Sequence, residues 1–329
     1  MEIKKNQIDA LNIELTLEIK GDDYAPACHK KLVERRRNAE FKGFRKGNVP
    51  MSLIEKFYGE QVLVDSVNDI ISEQLNGYIR DNKLNLVGEP MSSEKQPEIE
   101  WKSGNDFTFI FDVAVAPEVA LDVTKDDVVP KYAISVTEKA IDEMKENLLK
   151  YDEKKKEMPE DELKKEAEGY VKRGYEQDAE ARLNRDIRDY FVEKAAIELP
   201  EAFLKRWLTA ANKDKYSAED IEKDFPGFLH DFRWQMVRDA LFKKFDHKID
   251  DNDIREAAAS YIRYQYAMYG MSNVPDEIVN ESVENVLKDE KQIQRIIDGV
   301  EDSKVMDSIK GIITMKPKKI TIEKFRELK

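Results

Sequence analysis

A single cysteine, Cys28, stands in a chain of 329 residues, which excludes an intramolecular disulfide framework and fits a reducing compartment. Histidines are nearly as scarce. His29, His230 and His247 are scattered, and with one cysteine they form no local zinc pattern. No stretch approaches the roughly 20 apolar residues that cross a bilayer. The opening MEIKKNQIDALNIELTLEIK lacks the apolar block of a secretory signal, so a cytoplasmic protein with no membrane partner is expected. G-x-x-x-x-G-K-[ST], G-x-G-x-x-G and G-x-S-x-G are all missing, which removes motif support for nucleotide binding and for a hydrolase nucleophile. Cys28 and His29 adjoin within a predicted helix, where neighbours point about 100° apart, poor geometry for a nucleophile and its base. Carboxylates are too numerous for an acid/base pair to be singled out. The expectation is a protein with no catalytic residues, no metal and no cofactor.

Charge, by contrast, is abundant. Lys and Arg number 55 and Asp and Glu 68, for a net −13, and charged residues make up 37 % of the chain against roughly 25 % in an ordinary globular protein. An acidic surface does not coat DNA or RNA broadly. Hydrophobic residues at 41 %, with the two signs nearly balanced, exclude disorder. High charge and modest apolar content point to an elongated, helical, well-solvated protein. At about 150 residues per domain, the length implies two domains or three small ones.

Leu11, Ile13, Leu15, Leu17 and Ile19 alternate with polar residues and predict a strand with one apolar face. Gly21, Asp22 and Asp23 supply a turn and helix cap, with Pro26 in the first turn and the helix running to about Arg37. Residues 39–50, AEFKGFRKGNVP, have no periodicity and read as a loop. Ser52 and Glu55 have capping-box spacing, and Val64, Val67, Ile71, Leu75 and Tyr78 predict a long amphipathic helix to about Asn82. Three short strands follow, at 84–87, at Ile99 and Trp101, and at 107–115, the last two joined by a hairpin loop at 103–106. The expected N-terminal domain, residues 1–117, is thus α+β, with two helices on a four-stranded antiparallel sheet.

Residues 118–137 read as an extended connector, and Thr137 as the cap of a helix carrying Ile141, Met144 and Leu148. The charged run at 151–169 reads as a solvated helix face or a turn between helices. Beyond it the apolar patterns are helical, at Leu183, Ile187 and Phe191, at Phe203, Leu204 and Trp207, and at Val279 and Val283. Residues 138–329 are therefore expected to form an elongated all-α domain with helical arms.

The distribution of charge says more than its total. Between Pro26 and Pro50, eight basic residues (Lys30, Lys31, Arg35, Arg36, Arg37, Lys42, Arg45 and Lys46) face only Glu34 and Glu40, a local +6 that leaves −19 on the remainder. A concentrated basic loop on an acidic body suits docking to something polyanionic. Phe44, set between glycines and flanked by cations, either anchors a partner or tucks back onto its own sheet.

Gly43-Phe44-Arg45-Lys46-Gly47, followed by Val49-Pro50-Met51 and Phe57-Tyr58-Gly59, resembles the ribosome-docking loop and following helix of trigger factor, the bacterial ribosome-associated chaperone. The resemblance extends over residues 1 to about 117 and, more weakly, to the helix after Thr137 and the final segment with Ile320, Phe325 and Leu328. It implies an ATP-independent chaperone that docks beside the nascent-chain exit of the ribosome through Phe44, Arg45 and Lys46, with Gly43 and Gly47 permitting the loop geometry, and that holds nascent or unfolded polypeptides. It also implies a homodimer when free. The family's FK506-binding-type prolyl isomerase domain has no counterpart in the short charged stretch at 151–169, so isomerase activity is disfavoured. An RNA-binding or ribosome-assembly factor using the same basic loop is the other alternative.

A holdase needs distributed apolar contacts within a polar frame. Tyr261, Tyr264, Tyr266 and Tyr269 fall at about 0°, 300°, 140° and 80° around a helix, and Met268 and Met271 add adaptable surface. The plainer expectation is that this helix lies between two others with its tyrosines mostly buried, some of the set lining a client-facing concavity. Phe203, Trp207, Phe232 and Met236 are expected in the core.

Overall fold

The computed structural model describes residues 1–213, 215–271 and 273–328, with the backbone alone at 153 and 154. Along the chain run β1 (Glu2–Gln7), β2 (Asn12–Ile19), α1 (Gly21–Asn38), α2 (Met51–Asp81), β3 (Met91–Ser92), β4 (Phe107–Ala114) and β5 (Val128–Ile134). Then come α3 (Glu138–Tyr151), a 3₁₀ turn (Glu153–Glu157), α4 (Glu160–Ala195), α5 (Glu201–Ala211), α6 (Ala218–Lys244) and α7 (Asp251–Met268). The chain finishes with α8 (Asp276–Val286), α9 (Glu290–Ile312), β6 (Thr314–Ile320) and α10 (Ile322–Arg326). Two compact units result, residues 1–118 with 198–229, and residues 119–197 with 230–329.

In the first unit the antiparallel sheet has the order β1-β2-β4-β3. The alternation in β2 places Ile13, Leu15, Leu17 and Ile19 inward, with Leu17 opposite Phe109 and Ile19 opposite Phe107 on β4. Tyr24 of α1 and Leu63, Val67, Ile71 and Leu75 of α2 cover that face. Burying apolar area of this kind is the main stabilising term in such a domain. The two helices on four antiparallel strands match the expectation, but the strands are not all the expected ones. β1 is an extra strand, made possible by Asp9, whose carboxylate accepts the N–H groups of Leu11 and Asn12 at 2.8 Å each and folds the β1–β2 turn. Residues 84–87 contribute an isolated Leu86–Val115 bridge, and Ile99 and Trp101 pack on the core without forming a strand.

The helix starts differ as well. α1 is capped at Lys20, whose N–H donates to Asp23 at 2.9 Å, and Pro26 lies in its second turn. α2 starts after Pro50, so Ser52 and Glu55 are interior to the helix and form no capping box. α5 belongs to this unit through Trp207, whose ring lies against Gly88. A Cβ there would come within 3.1 Å of the indole, and the backbone φ is +78°.

In the second unit Thr137 caps α3 as expected, its Oγ1 accepting the Ala140 N–H at 3.3 Å. The charged run becomes the end of α3, the 3₁₀ turn and the start of α4, where it is largely solvated. Leu183, Ile187 and Phe191 are buried along one stripe of α4. Trp234 of α6 donates its indole N–H to Asp302 of α9 at 2.7 Å, and Arg188 of α4 pairs with the same carboxylate. The region is largely helical but not all-α, because β5 pairs in parallel with β6. Phe203 is core, whereas Trp207, Phe232 and Met236 are half-buried.

Candidate functional site

The basic loop is held at both ends and free in the middle. Ala39 and Val49 are buried with Leu32, Ile54 and Val62 in a small core between α1 and α2. The Ala39 N–H donates to the Arg35 carbonyl at 2.8 Å, and the Arg36 Nε donates to the Val49 carbonyl at 2.8 Å. Phe41 roots the ascending limb, its ring 5.2 Å from Phe57 and 6.3 Å from Tyr58. Two turns follow, closed by Phe44 N–H to Phe41 O at 3.1 Å and Asn48 N–H to Arg45 O at 2.9 Å. Gly43 and Gly47 take φ values of +92° and +83°, a region that L side chains enter only with strain, so the two glycines set the loop's shape.

Phe44, Arg45 and Lys46 lie between those glycines, all exposed. Phe44 does not fold back onto the sheet; it is 44 % exposed. Lys46 Nζ stands 3.6 Å from the Glu40 carboxylate in open solvent, a pair too exposed to neutralise the loop. Lys42, Arg35 and Arg37 are exposed too. The arrangement offers cations to an anionic surface and one apolar ring to a recess in it. Phe57 was missed as a surface feature by sequence reasoning, which placed it only within the family string. It is 62 % exposed on α2, against Phe41.

The second candidate surface is on α7. Ala258 and Ile262 are its buried positions, packed with Val279 and Val283 of α8. Tyr266 joins that cluster, its hydroxyl 3.4 Å from Ser282 Oγ. Tyr261, Tyr264 and Met268, at about 0°, 300° and 340°, share the opposite arc and are exposed. Tyr269 would fall on the buried arc if the helix continued, but α7 ends at Met268 and leaves it 83 % exposed. Met271 is exposed beyond Gly270. The expectation of mostly buried tyrosines is therefore overturned: α7 packs against α8 and α9, yet Tyr261, Tyr264 and Tyr269 remain exposed. A groove of about 780 Å³ runs beside Tyr261, lined by Glu256 and Ala257 of α7 and Arg295, Ile296 and Gly299 of α9.

Cys28 is half-buried, its Sγ 3.9 Å from the Val62 carbonyl oxygen. Among the described residues, no group of three or more His, Cys, Asp and Glu side chains is arranged to hold a metal ion, and no helix is long and apolar enough to cross a membrane.

The chain thus has an α+β domain that presents a basic, phenylalanine-tipped loop, and a largely helical region with exposed tyrosine and methionine side chains on and just after α7. Residues 1–148 match the family described as bacterial trigger factor protein, and residues 179–329 match that described as probable trigger factor, C-terminal domain. The chain belongs to the trigger factor family. Between the two matched segments, residues 149–178 are the end of α3, the 3₁₀ turn and the first half of α4. Over 119 residues the chain is 38 % identical to a trigger factor of Citrifermentans bemidjiense and 37 % identical to one of Geobacter sp.. That stretch is 36 % of this chain and 26 % of each relative, so the match spans about a quarter of those proteins. A solved structure described as "Promiscuous Substrate Recognition in Folding and Assembly Activities of the Trigger Factor Chaperone" aligns with a TM-score of 0.53 and 13 % identity. The alignment covers 94 % of this chain and 99 % of that one, a likeness of fold.

Proposed function

We propose that this protein is an ATP-independent chaperone that docks at the ribosome near the nascent-chain exit and holds emerging or unfolded polypeptides. In this reading residues 1–117 form the docking domain, 118–137 the connector and 138–329 the substrate-holding domain, with residues 198–229 packed into the first unit. Gly43, Phe44, Arg45, Lys46 and Gly47 make the docking tip. Tyr261, Tyr264, Met268, Tyr269 and Met271 offer the client surface, and Tyr266 supports it from the helix interface. The protein works in the cytoplasm, self-associates when free and has no prolyl isomerase activity.

The reading rests above all on one arrangement: an exposed Phe44 and two exposed cations held between positive-φ glycines on a packed base, within an otherwise acidic chain. Co-sedimentation with ribosomes tests it. The Phe44→Ala/Arg45→Ala/Lys46→Ala variant is expected to leave the pellet at a salt concentration where the wild type remains bound. Equal pelleting of the two proteins contradicts the assignment.

A further inference from the structure

We infer that the free edge of β5 takes up one extended segment of a client chain as a third strand beside β5 and β6, a step that rests on the holding of unfolded polypeptides proposed above. The Thr314 N–H donates to the Asp127 carbonyl and the Ser135 N–H to the Ile320 carbonyl, so in this parallel pair the odd-numbered residues of β5 bond β6. Tyr132 and Ile134 turn their N–H and C=O groups the other way. Among the described residues no strand joins that edge, and those groups have no hydrogen-bond partner. A groove of about 460 Å³ runs beside residues 131–134 and Val136, walled by Lys172, Tyr175, Glu176, Ala179 and Glu180 of α4, and no β6 residue lines it. It therefore lies on the side of β5 to which the unpaired groups point.

Pairing at a sheet edge recognises the main chain that every polypeptide carries, and the walls beside it add preference through alternate side chains. From Lys172 to Glu180 the helix rises roughly 12 Å, the length of about four extended residues. Tyr132 and Ile134 can each exchange two hydrogen bonds with such a segment, while Pro130, which has no N–H, ends the pairing. The α4 wall decides between occupants. The edge of a folded sheet, that of a second copy of this chain included, brings a further strand about 4.8 Å behind the pairing one, on the side where α4 closes the groove. A lone extended chain has no such neighbour. Lys131 and Lys172 are balanced by Glu176 and Glu180, and Tyr175 and Ala179 offer apolar contact, so the groove suits uncharged segments.

Amide hydrogen exchange on the full chain tests this, with the capped peptide Thr-Val-Thr-Val-Thr-Val-Thr as probe and the same peptide N-methylated at every residue as control. In the free protein Tyr132 and Ile134 are expected to exchange fast while Ala133, bonded to β6, is protected. The probe is expected to slow Tyr132 and Ile134 about tenfold or more; the N-methylated peptide, with no donors and methyl groups along both edges, leaves them fast. Ala179→Trp, which fills the groove from α4, is expected to abolish that protection, and the wild-type arms decide the matter even if this variant fails to fold. Tyr132 and Ile134 amides that are already slow without peptide, or still fast in a large excess of it, overturn the inference. Protection that grows with protein concentration in the absence of peptide assigns the groove to a second copy and overturns it too. Fast amides in a protein that still suppresses aggregation of a refolding client sink the strand addition alone, whereas failure to suppress aggregation removes the holding function and the strand addition with it.

Discussion

Asp127 is 3 % exposed and still ionised. Burial pushes its pKa up, but the Lys194 ammonium, the Thr124 N–H at 2.8 Å and the Tyr190 hydroxyl at 2.8 Å pull it down further, to a net position below the ordinary carboxylate value. A pKa lowered in the folded state gives stability that is present above the unfolded-state pKa and is lost as pH falls through the folded one. Asp127→Asn is therefore expected to cost about 2 kcal/mol at neutral pH, with the deficit closing in acid; urea unfolding at pH 7 and pH 3 reads both. Arg238 behaves oppositely. It is 8 % exposed, with its guanidinium 2.8 Å from Asp239, 3.1 Å from Glu301 and 3.6 Å from Asp298. Burial already raises the Glu301 pKa against the pull of Arg238. Arg238→Leu leaves three carboxylates facing one another and is expected to cost about 3 kcal/mol at pH 7. Because a carboxyl whose folded pKa is raised favours the folded state at low pH, that deficit shrinks between pH 7 and pH 5. A deficit that grows instead would contradict the assignment.

Among the elements, β6 shows how a short strand is kept from pairing further. The Thr314 N–H donates to the Asp127 carbonyl and the Ser135 N–H to the Ile320 carbonyl, at 2.9 Å each, so even-numbered residues of β6 face β5. Met315, Pro317 and Lys319 then face outward, and proline has no N–H to offer a third strand. Pro130 occupies the equivalent outward position on β5. Pro317→Val is expected to form assemblies larger than those of the wild type at the same micromolar concentration, visible by light scattering, with the helical content intact; a variant with the wild-type size distribution contradicts this role. The same residues explain why β6 was not legible in the sequence. MKPKKI has no apolar alternation and carries a proline, and its strand state comes from a partner 186 residues earlier. β1 escaped for a related reason, since it is an edge strand with Ile3 as its one inward apolar contact. β2, β4 and the stripe of α4 were legible because each buries a full periodic face. Of the loop, the glycines, the charge and the break in periodicity could be read directly. The exposure of Phe44 and Phe57 could not, because it depends on where Phe41 and the small core beneath it place the two rings.

For the whole molecule, two surfaces of different chemistry follow from one composition. In the proposed function, docking depends on a local +6 within a chain of net −13, so it is expected to gain from released counterions and to weaken with salt. In the same proposal, holding a client depends on tyrosine and methionine surface, which salt does not screen. The two functions are expected to separate. Tyr264→Ser/Met268→Ser/Tyr269→Ser should reduce suppression of aggregation of a refolding client severalfold and leave ribosome pelleting unchanged; parallel loss of both would mean that the surfaces act as one.

The central claim is that the loop docks through its charge and its phenylalanine together. The most direct measurement is ribosome affinity across a salt series for the wild type, Phe44→Ala and Arg45→Ala/Lys46→Ala. The account predicts that removing the two cations flattens the slope of log K against log salt by about 1.5, whereas Phe44→Ala lowers affinity at every salt concentration and keeps the wild-type slope. A slope that the loss of Arg45 and Lys46 leaves unchanged would contradict it.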